Sequence, residues 1–183
     1  DVTDIQIDCV TDQFTIGGSV SGLEGTGLVL QNNAGDDLAI SSEGAFSFTT
    51  PLDDDTIYNV SVVTQPTGPS QTCTVSNASG TLSGADVTDI QIDCVTDQFT
   101  IGGTVLGLSG SGLVLQNNGG DDLVIAADGL FTFATPLDDG SSYTVIVTTQ
   151  PTGPAQFCSV INGSGTLAEA NVNNVFINCE QIG

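Results

Sequence analysis

The 183-residue chain carries 22 aspartates and glutamates with no lysine, arginine or histidine, giving a net charge of −22. Nothing in it can neutralise phosphate, which excludes a nucleic-acid binder, and its charge argues against docking on anionic membranes. A hydrophobic fraction of 39% excludes disorder, and no apolar run reaches membrane-spanning length, so no membrane insertion is expected. The missing histidine and lysine remove Ser–His, Cys–His and lysine-based catalysis.

The stretch Asp1–Gly18 occurs again unchanged as Asp86–Gly103, an offset of 85 residues. That offset sets a repeat. Residues 1–9 match 86–94 and, more loosely, 171–179, so they read as the last strand of an upstream domain that is absent or belongs to a neighbouring chain. The predicted domains are then 10–94 and 95–179, identical at about two-thirds of aligned positions, with 180–183 as a tail or linker.

Taken in order, each repeat reads as seven short strands separated by turn residues. In the first repeat these are Phe14–Leu23, Gly27–Gln31, Leu38–Ser41, Ala45–Thr49, Tyr58–Thr64, Gln71–Ser76 and Val87–Cys94. Phe14, Ile16 and Val20 share one face, Phe46 and Phe48 alternate, and Tyr58, Val60 and Val62 are in phase. Gln65-Pro66-Thr67-Gly68-Pro69 must be a loop, because proline cannot donate to a central ladder. No segment has helical periodicity. The fold class is all-β: tandem seven-stranded Ig-like or prealbumin-like β-sandwiches arranged end to end.

If successive strands run antiparallel, the first, third and fifth connections lie at one end of a sandwich. The second, fourth and sixth connections and the chain entry lie at the other. Cys73 opens the sixth strand and Cys94 closes the seventh, so they fall together and are expected to form a disulfide. Cys158 and Cys179 repeat the relation, while Cys9 would pair with a cysteine of an upstream or neighbouring chain. With no C-x-x-C pair and no histidine, a zinc site is not expected. Disulfides imply an oxidising, extracellular compartment.

The same strand alternation gathers acids at the opposite end: Asp12, Asp36, Asp37, Asp53 and Asp54, repeated as Asp97, Asp121, Asp122, Asp138 and Asp139. Carboxylates without a basic partner repel one another unless a cation joins them, so these are candidate Ca²⁺ ligands at the domain joint. The alternative is a solvated acidic end that keeps the protein soluble. A glycosidase pair is disfavoured, because the acids sit on small duplicated turns and no tryptophan is present to stack a sugar. No enzymatic activity is expected. Asn59, Asn77 and Asn162 lie in N-glycosylation sequons, which such a composition produces by chance.

The pattern Gly18-x-Val20-x-Gly22, Leu28-Val29-Leu30, Gly44-x-Phe46-x-Phe48, Pro51-Leu52 and Tyr58-x-Val60-x-Val62 resembles the prealbumin-like sandwich family. That group includes carboxypeptidase-regulatory-like and Cna-B-type domains. The whole unit, with LVLQNN, GDDL, QPTGP and two cysteines, is similar to tandem repeats in large bacterial surface and secreted proteins. The resemblance implies a structural subunit of an extracellular filament or adhesin stalk, partnered by its own neighbours, with strand donation by residues 1–9 as one mode of assembly. Cna-B-type domains are often locked by Lys–Asn isopeptide bonds; with no lysine that bond cannot form, and a disulfide takes its place. The alternative function is a glycan- or ligand-binding accessory module. Near-identity of the loops in the two repeats favours a stalk.

Overall fold

A computed structural model describes Asp4 and residues 6–182. It is all-β, with no helix among the described residues, and divides into two compact units, residues 1–67 with 71–95, and 68–70 with 96–183. The first unit contains β1 (Gln13–Phe14), β2 (Ile16–Ser21), β3 (Leu28–Asn32), β4 (Asp36–Ile40), β5 (Gly44–Ser47), β6 (Leu52–Asp53), β7 (Ile57–Thr64), β8 (Gln71–Ser76), β9 (Ser79–Thr81) and β10 (Val87–Thr96). The second repeats the series as β11 (Gln98–Phe99), β12 (Ile101–Leu106), β13 (Leu113–Asn117), β14 (Asp121–Ile125), β15 (Gly129–Thr132), β16 (Leu137–Asp138), β17 (Ser142–Thr149), β18 (Gln156–Ile161), β19 (Ser164–Thr166) and β20 (Val172–Gln181).

Each unit is built of two four-stranded sheets and a two-stranded ribbon. In the first unit the sheets run β5-β2-β10-β8 and β4-β3-β7-β9, with β1 paired to β6; the second unit repeats all three. Period-2 alternation produces this. Ile16 and Val20 on β2, Ile90 and Ile92 on β10, Leu28 and Leu30 on β3, and Tyr58 and Val60 on β7 are all buried. They meet between the sheets with Phe48, whose ring stands edge-on to Phe46 at 6.0 Å between centroids. Each such side chain contributes roughly 1.5–3 kcal/mol on leaving water.

Three expectations change. First, each unit has an additional main-sheet strand: the connection after β8 crosses to the other sheet and pairs as β9 with β7. Ser79-Gly80-Thr81 has no apolar alternation to announce it. It is a strand because Gly80 lies opposite Tyr58, whose ring occupies the space a side chain would need. Second, the expected tail at 180–183 is partly strand. Glu180 and Gln181 continue β20 opposite Phe157 and Gln156, whose backbone is there to pair with. Third, of the expected strand at 1–9, residues 1–3 and 5 lie outside the described residues, and Asp4 and residues 6–9 are in no strand.

The first and last main strands, β2 and β10, are neighbours and run parallel, with an irregularity in register between Val87 and Ile90. Antiparallel succession permits this, since the first and seventh predicted strands point the same way. Adjacent to them β2 pairs antiparallel with β5. Gly17 and Gly18 make both contacts possible. A Cβ on Gly17 would strike the Phe46 carbonyl oxygen, and one on Gly18 the Ile90 carbonyl oxygen; Gly102 and Gly103 meet Phe131 and Val175 in the same way.

Gly18→Ala should therefore destabilise the first unit by about 1–3 kcal/mol, the usual range for overpacking. Gly35→Ala, at a turn where an added Cβ meets only the Asn33 carbonyl oxygen at 3.9 Å, an ordinary contact, serves as control. Equal urea midpoints for the two variants would sink this account of the parallel pair.

Candidate functional site

The connections sort to two ends as strand alternation requires. At one end, Thr26 and Thr67 exchange backbone hydrogen bonds at 2.9 Å, and the Leu23 N–H donates to Glu43 Oε1 at 3.1 Å. At the other, the loops after β3, β5 and β8 meet the chain entry. All ten acids proposed as metal ligands lie at this second end of their unit.

The structure gives these acids separate tasks. Asp36 and Asp121 accept from the backbone N–H of Thr50 and Thr135 at 3.3 and 3.1 Å. Asp37 and Asp122 accept from the side-chain amides of Gln31 and Gln116, both at 2.6 Å. Asp53 and Asp138 accept from the amides of Gln13 and Gln98 at 2.7 and 2.8 Å. Asp54 and Asp139 accept from the N–H of Gly84 and Glu169 at 2.8 and 2.7 Å. Asp12 and Asp97 contribute backbone carbonyls, which accept from Asp54 and Asp139 at 2.9 and 2.8 Å. Among the described residues no three acids or cysteines come together as a group that could hold a metal ion. Eight of the ten carboxylates accept hydrogen bonds that tie loops or neighbouring strands together.

Asp139 is the most constrained of them, only 7% exposed. Within the second unit its carboxylate accepts from the Ser70 N–H at 2.7 Å as well as from Glu169. These donors, Ser70 first, hold its pKa below the usual 3.8 against the opposing effect of burial.

Sequence reasoning missed two pairs of glutamines that do comparable work. Gln71, 2% exposed, accepts at Oε1 from the N–H of Glu24 and Gly25, both at 2.8 Å, and donates from Nε2 to the Gly22 carbonyl at 2.7 Å. Gln156 repeats this with Ser109, Gly110 and Gly107. Gln65 accepts from the Cys73 N–H at 2.8 Å and donates to the Cys73 carbonyl at 3.1 Å, occupying two backbone groups on the edge strand β8. Gln150 does the same for Cys158. The available signal was their invariance between the repeats; a glutamine in a strand (Gln71, Gln156) or a loop (Gln65, Gln150) otherwise reads as exposed.

The disulfides Cys73–Cys94 and Cys158–Cys179 join the edge strand to the last strand in each unit. Cys158 and Cys179 lie directly opposite in the ladder. All four cysteines are buried on the inner face, so the bond is part of the core as well as a loop closure. With 21 residues separating the cysteines, closure contributes about 3 kcal/mol. Cys9 is an exposed free thiol.

No family model and no curated protein matches the chain. Among solved structures, the Bacillus anthracis TIE protein matches 93% of this chain at 14% identity with a TM-score of 0.53; the chain spans only 34% of that protein's length. The Streptococcal High Identity Repeats in Tandem (SHIRT) domains 3–4 from a cell surface protein match 92% of this chain and 99% of theirs at 16% identity, with a TM-score of 0.28. The major pilin protein T-13 from Streptococcus pyogenes serotype GAS131465 matches 94% of this chain and 98% of its own at 12% identity, with a TM-score of 0.29. The likeness to the TIE protein, at a TM-score of 0.53, is one of fold.

Two outcomes follow from the hydrogen bonds. Gln71→Ala strands two N–H groups and a carbonyl and should cost the first unit about 3 kcal/mol, measured by thermal unfolding. For Asp139 the depressed pKa means a stabilisation present above pH 3.8 and lost as pH falls through the lower folded value. Asp139→Asn should remove part of the second unit's acid sensitivity below that pH. An unchanged acid limb in circular dichroism titrations of the variant would contradict the assignment.

Proposed function

We propose that the chain is a structural repeat segment of an extracellular bacterial filament or adhesin stalk. The observation that carries this reading is duplication of the scaffold's internal fastenings. The buried disulfide, the loop carboxylates and the loop-binding glutamines occur at equivalent positions in both units. Polar groups that would mark a binding surface are committed to holding loops together, and the same commitments recur in each copy. Buried disulfides support an oxidising location. The lack of lysine and arginine leaves no trypsin site, which suits an exposed fibre.

On this reading the units bear load. Strands β10 and β20 lie beside the first main strand of their unit and are covalently joined to its edge strand, so force cannot peel that segment away. Residues 1–9, identical in sequence to 86–94, would fill the corresponding place in another sandwich, in the same chain or a neighbouring one. Mass analysis of native material with and without reductant separates these: a ladder of disulfide-linked chains supports donation between chains, and one long polypeptide rules it out.

Two measurements test the main proposal. Electron micrographs of native material should show thin filaments with a regular axial repeat; isolated globules would overturn it. In single-molecule extension, each unit should release about 70 Å more chain after reduction, the length of the 21-residue cysteine separation at roughly 3.5 Å per residue. An extension that ignores reductant would mean the disulfides carry no mechanical constraint.

A further inference from the structure

The two units share a scaffold but differ on one outer face. In the second unit the sheet β15-β12-β20-β18 places Leu130, Thr104, Phe176 and Ile161 in one row across all four strands, since Thr104 is opposite both Leu130 and Phe176, and Phe176 is opposite Ile161. Leu106, opposite Asn178, and Phe157, opposite Glu180, extend the apolar surface along the strands. Leu130 is 89% exposed and Phe157 60%. At the edge between the two sheets lies a shallow hollow of about 230 Å³, lined in part by Val124, Ile125 and Leu130. The first unit has its equivalent, about 280 Å³, lined in part by Ala39, Ile40 and Ala45.

The same face of the first unit is more polar, although it exposes Val95. At 85 residues earlier stand Ala45, Ser19, Gln91 and Ser76, with Ser21 for Leu106 and Thr72 for Phe157. There Ser21 donates a 2.6 Å hydrogen bond to Asp93. The charge changes in step. Asp86, Asp89 and Asp93 of the first unit correspond to Asn171, Asn174 and Asn178 of the second. Two of these, Asp89 and Asp93, lie on β10, so the equivalent strand β20 has lost two carboxylates where its neighbours gained leucine, isoleucine and phenylalanine. Asp86 and Asn171 precede the strands and accept the same bond, from the N–H of Thr15 and Thr100. One acid is gained on the face: Glu180 stands where the first unit has Val95, and it accepts from Asn178 Nδ2 at 3.0 Å.

We propose that this face of the second unit is a lateral docking surface for the same face of a second copy of the chain. Charge favours that occupant. A basic partner would be served by keeping Asp89 and Asp93, as the first unit does. Replacing them by asparagine lowers repulsion towards a partner that is itself strongly acidic, and this chain, with 22 acids and no base, is such a partner. Two-fold pairing of one patch with itself also needs no second complementary surface.

The patch measures about 20 Å across four strands and about 15–20 Å along them, or roughly 350 Å² per copy. A standard stable interface takes about 800 Å² per partner. One pair of faces is therefore a weak contact, suited to repetition along parallel arrays, where linked sites reinforce one another. That multiplication rests on the filament reading; the pairwise contact does not.

The test uses sedimentation velocity on the 183-residue chain over a concentration series to the millimolar range, at low and high salt. The expected result is a reversible dimer that strengthens with salt, because screening removes repulsion between acidic copies and leaves apolar contact intact. Exchanging the face for its first-unit counterpart (Leu106→Ser, Leu130→Ala, Phe157→Thr, Ile161→Ser, Phe176→Gln) should weaken the dimer at least about tenfold. The first unit folds with those residues, and circular dichroism confirms that the variant does too. A chain that stays monomeric at every salt, or dimerises equally well after the exchange, overturns the proposal. So does a monomer that binds zwitterionic phosphatidylcholine vesicles through this face, which would give the surface a different occupant. Micrographs of native filaments bear on the stalk reading alone, so either idea can fail without the other.

Discussion

Each sandwich is closed by its last strand lying parallel beside its first, and most of the remaining structure follows from that contact. Parallel neighbours cannot be joined by a tight turn, so the whole unit must be threaded between β2 and β10 before they meet. Their backbones then approach so closely that only glycine fits at positions 18 and 103. The disulfide lies on the far side of the same strand, tying it to the edge strand. The last strand is thus held on one flank by steric fit and on the other by a covalent bond.

A chain with no basic residue has to satisfy its loops by other means, and it does so systematically. Carboxylates and glutamine amides take the place that ion pairs occupy in ordinary surfaces, bonding backbone N–H groups and one another. Loops that would cost stability if left with buried unpaired groups become fixed, and the acids lose part of their freedom to gather around a cation. Self-repulsion remains as the cost of the composition. That cost gives meaning to the face of the second unit where two strand aspartates of the first have become asparagines.

Much of the fold was legible from residues. The 85-residue offset gave the repeat, alternation at Leu28-Val29-Leu30 and Tyr58-x-Val60-x-Val62 gave the buried faces, and counting strand directions placed each cysteine beside its partner. The end at which Asp36, Asp54 and their equivalents sit was also legible. Their separate hydrogen-bond partners were not, because Thr50, Gly84 and Gln13 carry no sign in sequence that they face a carboxylate. Neither was β9, whose Ser-Gly-Thr becomes a strand through the Tyr58 ring lying over Gly80.

The sequence by itself determined repetition, strand periodicity, charge and the disulfide arithmetic, since these depend on order along the chain and on local backbone preference. Tertiary structure alone decided which strands became neighbours, that the first and last run parallel, and which donor each acid meets. Those depend on contacts between residues up to 72 positions apart, as with Ser21 and Asp93. It also decided that Leu130, Ile161 and Phe176, the outermost of them 46 positions apart in the sequence, form one row on one face. Pairing register, a property of the assembled sheet, creates that row.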